Sequence, residues 1–409
     1  MQHYEVKSPV WSNPRLWAVS LGETLAWAGL FYLFPASLIR WKLHFDWSIS
    51  ELSGGLMIAL IVSAITGIGS GKLIDKGFGR ELMSGGVVLG GVSLLLMPMV
   101  SSLEEFYILW AVVGIAMGAC LYDPCFAILT RHYSSQAKEP IVMVTLFAGF
   151  SITFSFILSA LISSVFNWET SFYVFGVLLC FLAAPLFWIG ISADTKVKPL
   201  AAGIFSESKS HVSFFRGLIV KPIFWGLSIL FTTFALNHIM LISQILPLFE
   251  NKGVSSTSAV LMASAMGPMQ VGGRIALLAI EKYLQKEFEI IRVASFSCVA
   301  LVCASGLLYY SEKNPLILGL FVVLQGGAFG IINLVKPVIT ARLLGELNFG
   351  FISAVVGVGY IFGFAVAPGV SGFISDAWGT DRLIGTTFLL ALVGFVIFSL
   401  SATRKINRK

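Results

Sequence analysis

The sequence predicts an all-α membrane protein: twelve transmembrane helices in two pseudo-symmetric six-helix bundles. Three observations predict it. Of 409 residues, 57% are hydrophobic and only 12% charged, about half the roughly 25% charge of soluble domains. The apolar residues lie in continuous runs, and a helix needs about 20 of them to cross hydrocarbon. Barrel strands would instead alternate over about ten residues. Finally, the chain repeats: when Asp75-Lys76 is laid on Glu281-Lys282, Arg80 falls on Lys286 and Gly67 on Gly273.

Taken in order, the first six spans are read near Leu16–Ile39, Leu52–Ser70, Leu82–Val100, Phe106–Thr130, Ile141–Val165 and Phe172–Ile191. The second six are read near Phe224–Phe249, Ser258–Ile280, Ile291–Tyr310, Leu316–Ala341, Phe351–Ile374 and Leu383–Ala402. Residues 1–191 thus form one bundle and 222–409 the other. Residues 192–221 form a polar linker containing Lys196, Lys198, Lys209, Arg216 and Lys221. Its middle reads either as a short interfacial helix or as a disordered connection. Trp41, Trp47 and Trp168 sit where interface anchors are expected. Basic residues concentrate in alternate loops, at Lys72, Lys76, Arg80, Arg131, Lys138, Lys282, Arg342 and the C-terminal tail. Because basic loops stay cytoplasmic, both termini are expected inside.

Cys120, Cys125, Cys180, Cys298 and Cys303 all fall within apolar runs, so they read as packing residues. Their spacing indicates neither a metal site nor a disulfide framework. The N-terminus MQHYEVKSPVWSNPR lacks an apolar core with a cleavage site, and no signal peptide is expected. The sequence has no nucleotide-binding loop, nucleophile elbow or histidine cluster. It therefore does not read as an enzyme, and no cofactor, metal or nucleic acid is expected.

The turn between the second and third spans, Gly71–Arg80, reads GKLIDKGFGR. Asp75 can face a neighbouring helix N-terminus and pair with bases, and Gly77 and Gly79 permit a sharp turn. This segment resembles the loop signature of the major facilitator superfamily in Gly71, Leu73, Asp75, Lys76 and Arg80. It departs where Phe78 replaces Gly and Gly79 replaces a base. The resemblance extends along the chain and implies a bacterial cytoplasmic-membrane secondary transporter working by alternating access. The family implies a monomer whose partners are a small-molecule substrate, protons and the bilayer. Repeated halves with a site where they meet fit that plan. GETLAWAG, FPASL, W-S-x-S-E-L and V-G-G-R are similar to the monocarboxylate-porter branch. There the arginine matching Arg274 is associated with a substrate carboxylate. Gln270 stands where that branch often has Asp.

Ionisable groups inside spans are costly, about 2.5–3.5 kcal/mol each on insertion scales, which makes them functional candidates. Arg274 can clamp an anion or snorkel to the interface. Glu23, Asp123 and His238 are candidates for proton coupling, each with a structural alternative. Glu23 can pair with a base near the interface. Asp123, beside Pro124, can pair with Lys336, and His238 can be a packing residue. Gln270, Tyr122, Gln244, Gln325, Asn333 and Tyr360 are candidate substrate contacts. Asp75, Lys76, Arg80, Gly71, Glu281 and Lys336 are assigned to gating. In span eleven, Gly359, Gly363, Pro368, Gly369 and Gly372 permit close helix approach and bending. The leading expectation is proton-coupled transport of a small, monocarboxylate-like organic anion. The alternative is a proton-antiporting exporter of drugs or metabolites.

Overall fold

A computed structural model describes residues 10–192, 215–284, 288–345 and 349–406. Lys196, Lys198, Lys209 and most of the linker lie outside them; residues 215–219 are helical. The first six spans are α1 (Pro14–Phe45), α2 (Ile49–Asp75), α3 (Gly79–Met99), α4 (Leu103–Tyr133), α5 (Lys138–Val165) and α6 (Trp168–Gly190). The second six are α7 (Pro222–Ser243), α8 (Ser256–Leu284), α9 (Ile290–Tyr309), α10 (Pro315–Leu344), α11 (Phe349–Trp378) and α12 (Thr380–Ile406). Eleven of these are long and apolar enough to cross a membrane. The twelfth, α8, is as long, with 29 residues, but Pro268, Gln270 and Arg274 dilute its apolar character.

The described residues form two compact units. One comprises residues 10–33 and 58–192, the other Phe34–Met57 and the described part of 215–406. The division falls within α1 and α2. Several spans are interrupted. In α1 the backbone forms a π turn over Ala28–Tyr32, and α6 forms another over Leu179–Ala183. The two meet at Gly29, where an added Cβ would press on Leu179. At Leu121 α4 passes through an extended residue before restarting at Tyr122. Pro124 lies in that new first turn, where its missing N–H costs little. The expected seventh span to Phe249 is not continuous. It stops at Ser243, turns at Gln244 and resumes as the short helix Ile245–Asn251, with Pro247 at the start of the new helix.

Glycines set the closest helix approaches. Gly114 and Gly118, four residues apart on α4, lie against the backbone of Ala59 and Ser63 on α2. The Ser70 hydroxyl donates to the Gly118 carbonyl at 2.7 Å. In the second unit, Gly326 and Gly330 on α10 lie against Met266, Met269 and Gln270 of α8, and Gly273 meets Gly327. Gly359 and Gly363 on α11 approach Thr232 on α7, while Gly369 and Gly372 receive Met57 and Ser50 of α2. Leu227, Phe231, Ile339 and Phe398 belong to the buried core of the second unit. Lipid tails are as apolar as leucine, so packing of small residues supplies much of the helix association.

Gly114→Ala should destabilise the protein by about 1–3 kcal/mol, because its methyl would meet rigid backbone. Gly85→Ala, which opens onto free space, should be neutral or stabilising by up to about 1 kcal/mol. Thermal unfolding of the two purified variants in detergent measures the contrast.

Candidate functional site

In the first unit, the candidate groups gather where α1 meets the break in α4. Glu23 is fully buried. Neither of its carboxyl oxygens completes a hydrogen bond of good geometry with a described residue. The Cys125 thiol and Trp27 indole stand beside it, and Asp123 is near enough to interact through its charge. Trp27 also meets Tyr122 at a centroid distance of 4.7 Å, and Tyr122 stacks on Phe126 at 4.9 Å. Asp123 is exposed and lies in the first turn of the restarted helix, where the helix dipole favours a carboxylate. One break in α4 thus brings a sealed acid, an accessible acid and an aromatic cluster together.

The second unit holds the basic candidates. The Arg274 Nε donates to the Gly330 carbonyl at 3.0 Å, tying α8 to α10. One helical turn earlier, Gln270 is buried, and its Nε2 has no partner among the described residues. The Lys336 ammonium lies 3.8 Å from the centroid of the Tyr360 ring, a cation–π distance. Asn333 is half-buried on α10.

Gln325, Gln244 and His238 sit inside helix packing. The Gln325 amide donates to Asn237 Oδ1 at 3.0 Å and lies 3.4 Å from His238 Nδ1. Asn237 in turn donates to Ser305 Oγ and to the Thr387 carbonyl. The His238 ring stacks on Phe329 with centroids 3.4 Å apart. Gln244 reaches Ser53 and Ser371, each at 3.3 Å.

At the turn after α2, Arg131 from the end of α4 pairs with Asp75. Phe78 N–H bonds to the Leu73 carbonyl and Gly77 N–H to that of Ile74, the paired bonds of a glycine-ended helix. Gly77 has φ +94°, a left-handed conformation suited to glycine. Gly79 is already helical; its need for a bare Cα comes from Ile128 pressing on it. Gly71 opens onto free space and Lys76 is exposed. Arg80 bonds to Glu81 at 3.1 Å and lies over the Trp188 ring. Glu281 accepts a bond from the Phe288 N–H at 3.1 Å.

Residues 16–333 match the family model described as Major Facilitator Superfamily. The chain belongs to the major facilitator superfamily. It is therefore a multi-pass membrane transporter, and the family's members are not enzymes. Among curated relatives, it is 28% identical over 155 residues to the 4-hydroxybenzoate transporter PcaK of Pseudomonas putida. That match covers 36% of this chain and 34% of the relative. It is 27% identical over 146 residues to the protein of the same name from Pseudomonas aeruginosa, covering 34% and 32%. The matches thus span about a third of these relatives' length.

The fold of this major facilitator protein is shared with solved structures at low identity. A bacterial homolog of the human lysosomal transporter Spinster, inward-facing and unoccupied, superposes with TM-score 0.74 at 15% identity. That alignment covers 96% of this chain and 98% of the other. The nucleoside transporter NupG gives 0.69 at 14% identity, over 94% and 99%. Sequence reasoning missed Asn237, the hub of the buried amide cluster. Its signal was a second polar residue beside His238 in an otherwise apolar span. Trp27 lay within the GETLAWAG segment, but nothing in its spacing showed that it would stand against Glu23 and Tyr122.

Asn237→Leu should cost about 1–3 kcal/mol, since it strands the buried Gln325 amide. The variant's thermal midpoint, compared with that of Asn237→Gln, tests whether the loss is of hydrogen bonding.

Proposed function

We propose that this transporter couples proton movement to movement of a small organic anion, an aromatic or similar monocarboxylate, across the bacterial cytoplasmic membrane. It works by alternating access, with both termini in the cytoplasm. The observation that carries this reading is Glu23, a carboxyl fully enclosed in a span, beside two neutral donors, the Cys125 thiol and the Trp27 indole, and flanked by an aromatic cluster. An uncompensated buried charge is costly. Adding or removing one proton there therefore changes the stability of any conformation that encloses it. Asp123, accessible beside Glu23, passes the proton on, and His238 is the further candidate in the second unit.

The anion is met by Arg274, oriented through its bond to Gly330, with Gln270, Asn333 and Tyr360 as polar and aromatic contacts. Gln244 and Gln325 serve the site by holding helices in register. Asp75 with Arg131, together with Gly71, Lys76 and Arg80, gates one face. Glu281 and Lys336 are their counterparts in the repeat. The local similarity to two 4-hydroxybenzoate transporters supports an aromatic carboxylate as cargo. The exposed carboxylate of Asp123 favours a second reading, proton-driven export of a cationic drug or metabolite.

Proteoliposomes with an inwardly directed proton gradient should accumulate 4-hydroxybenzoate. Glu23→Gln should reduce that accumulation at least tenfold while exchange between preloaded and external substrate persists. Arg274→Ala should abolish both; uptake unchanged in that variant removes the anion role assigned to it. Gradient-driven movement of a cationic dye with no carboxylate uptake would establish the second reading instead.

A further inference from the structure

The first unit contains a recess separate from the residues assigned to cargo. Its walls come from the start of α1, the ends of α2 and α4, the start of α3 and the end of α6. It encloses about 60 Å³, space for roughly four to six water-sized groups at about 10–15 Å³ each. That is room for a short alkyl segment or part of a ring, well under the roughly 150 Å³ of a cavity that holds a whole benzene.

The lining is divided by chemistry. The buried lining is apolar and includes Leu16, Ile74 and Cys125, with Ile128 half-buried beside them. The mouth carries Arg15, Arg131 and His132, of which Arg15 and His132 are exposed. No acidic side chain lines the recess among the described residues. Asp75 approaches only through its pair with Arg131. Asn13 caps the N-terminus of α1 at the rim and donates to the Tyr133 hydroxyl at 3.0 Å. The positive end of α1 adds to the basic side chains there. Arg15 forms no ion pair among the described residues.

We propose that this recess binds a small amphipathic anion, with its carboxylate or phosphate between Arg15 and Arg131 and its apolar body against Ile128. Two sources share that chemistry: a free aromatic carboxylate, and an anionic lipid headgroup with its first carbons. Either one competes with Asp75 for Arg131, so occupancy acts on the turn between α2 and α3. The site is distinct from the residues assigned to cargo and does not depend on that assignment.

Thermal unfolding of the purified full chain tests this with two probes. One is sodium benzoate in detergent. The other is phosphatidylglycerol nanodiscs compared with phosphatidylcholine nanodiscs. Each is measured for wild type, for Arg274→Ala, and for Arg274→Ala with Arg15→Gln or Ile128→Trp added. Because a bound ligand stabilises the state it occupies, benzoate should raise the midpoint of wild type and of Arg274→Ala. In the Arg274→Ala background, where the cargo contact is removed, adding Arg15→Gln should move half-saturation at least tenfold higher and adding Ile128→Trp should abolish the effect. The same pattern with phosphatidylglycerol but not benzoate assigns the site to lipid. Arg15 is at the surface, so its variant should fold even if Ile128→Trp does not. Stabilisation of Arg274→Ala by neither probe overturns the proposal, as does stabilisation of Arg274→Ala that is unchanged when Arg15→Gln is added.

Discussion

The constraint on which the rest of the structure depends is the close approach of two helix pairs, α2 with α4 and α8 with α10. In each pair, glycines four residues apart let one backbone lie against the other: Gly114 and Gly118 in the first unit, Gly326 and Gly330 in the second. In hydrocarbon there is little hydrophobic force to bring helices together, so such packing has to do it. The polar candidates follow directly. Tyr122 and Asp123 come one turn after Gly118. Arg274 follows Gly273, and its bond to the Gly330 carbonyl exists only because α8 and α10 are this close. A side chain at Gly330 would collide with the Gln270 backbone and push that carbonyl away from Arg274.

Irregular backbone is tolerated at membrane depth only where protein or water satisfies it. The break at Leu121 is therefore informative beyond its geometry. It points the N-terminus of the second half of α4 at Asp123 and brings Cys125 beside Glu23. The π turns in α1 and α6 act in the same region, since Ala28–Tyr32 follows Trp27 directly. These turns are frequent at functional sites. Here they shift the register of α1 just past the residue that contacts both Glu23 and Tyr122.

Much of this was legible in the sequence, for identifiable reasons. Membrane-length apolar runs are long-range signals, and all twelve helices appear near their expected places. The repeat was visible because Asp75-Lys76 and Glu281-Lys282 hold the same place in each half. The unit boundary within α1 and α2 was hidden, since it depends on which helices Phe34–Met57 packs against. The π turns were hidden too, because AGLFY and LCFLA are ordinary helical sequence. Gln244 breaking the seventh helix depended on its bonds to Ser53 and Ser371. Residue type and depth could be read for Glu23, Arg274 and His238. Their partners could not, because Trp27, Gly330 and Phe329 are brought to them by tertiary packing.

The two helix pairs share a scaffold but differ in charge. Beside the first lie acids, with Asp123 on α4 and Glu23 on the adjoining α1. On the second lie bases, with Arg274 on α8 and Lys336 on α10. If the repeat served stability alone, the same packing would need no charge in either place, since each ionisable group in a span carries an insertion cost. Retaining acids on one copy and bases on the other suits two different ions, a proton taken by carboxyls and an anion met by cations. Arg274 bonds to Gly330, itself a glycine-dependent packing contact, and Glu23 stands beside Cys125 just past the break in α4. Under the proposed function, a change in protonation at Glu23 or in occupancy at Arg274 would act on the packing around each. On this reading, coupling requires no long relay: each ligand biases the same kind of joint in its own unit.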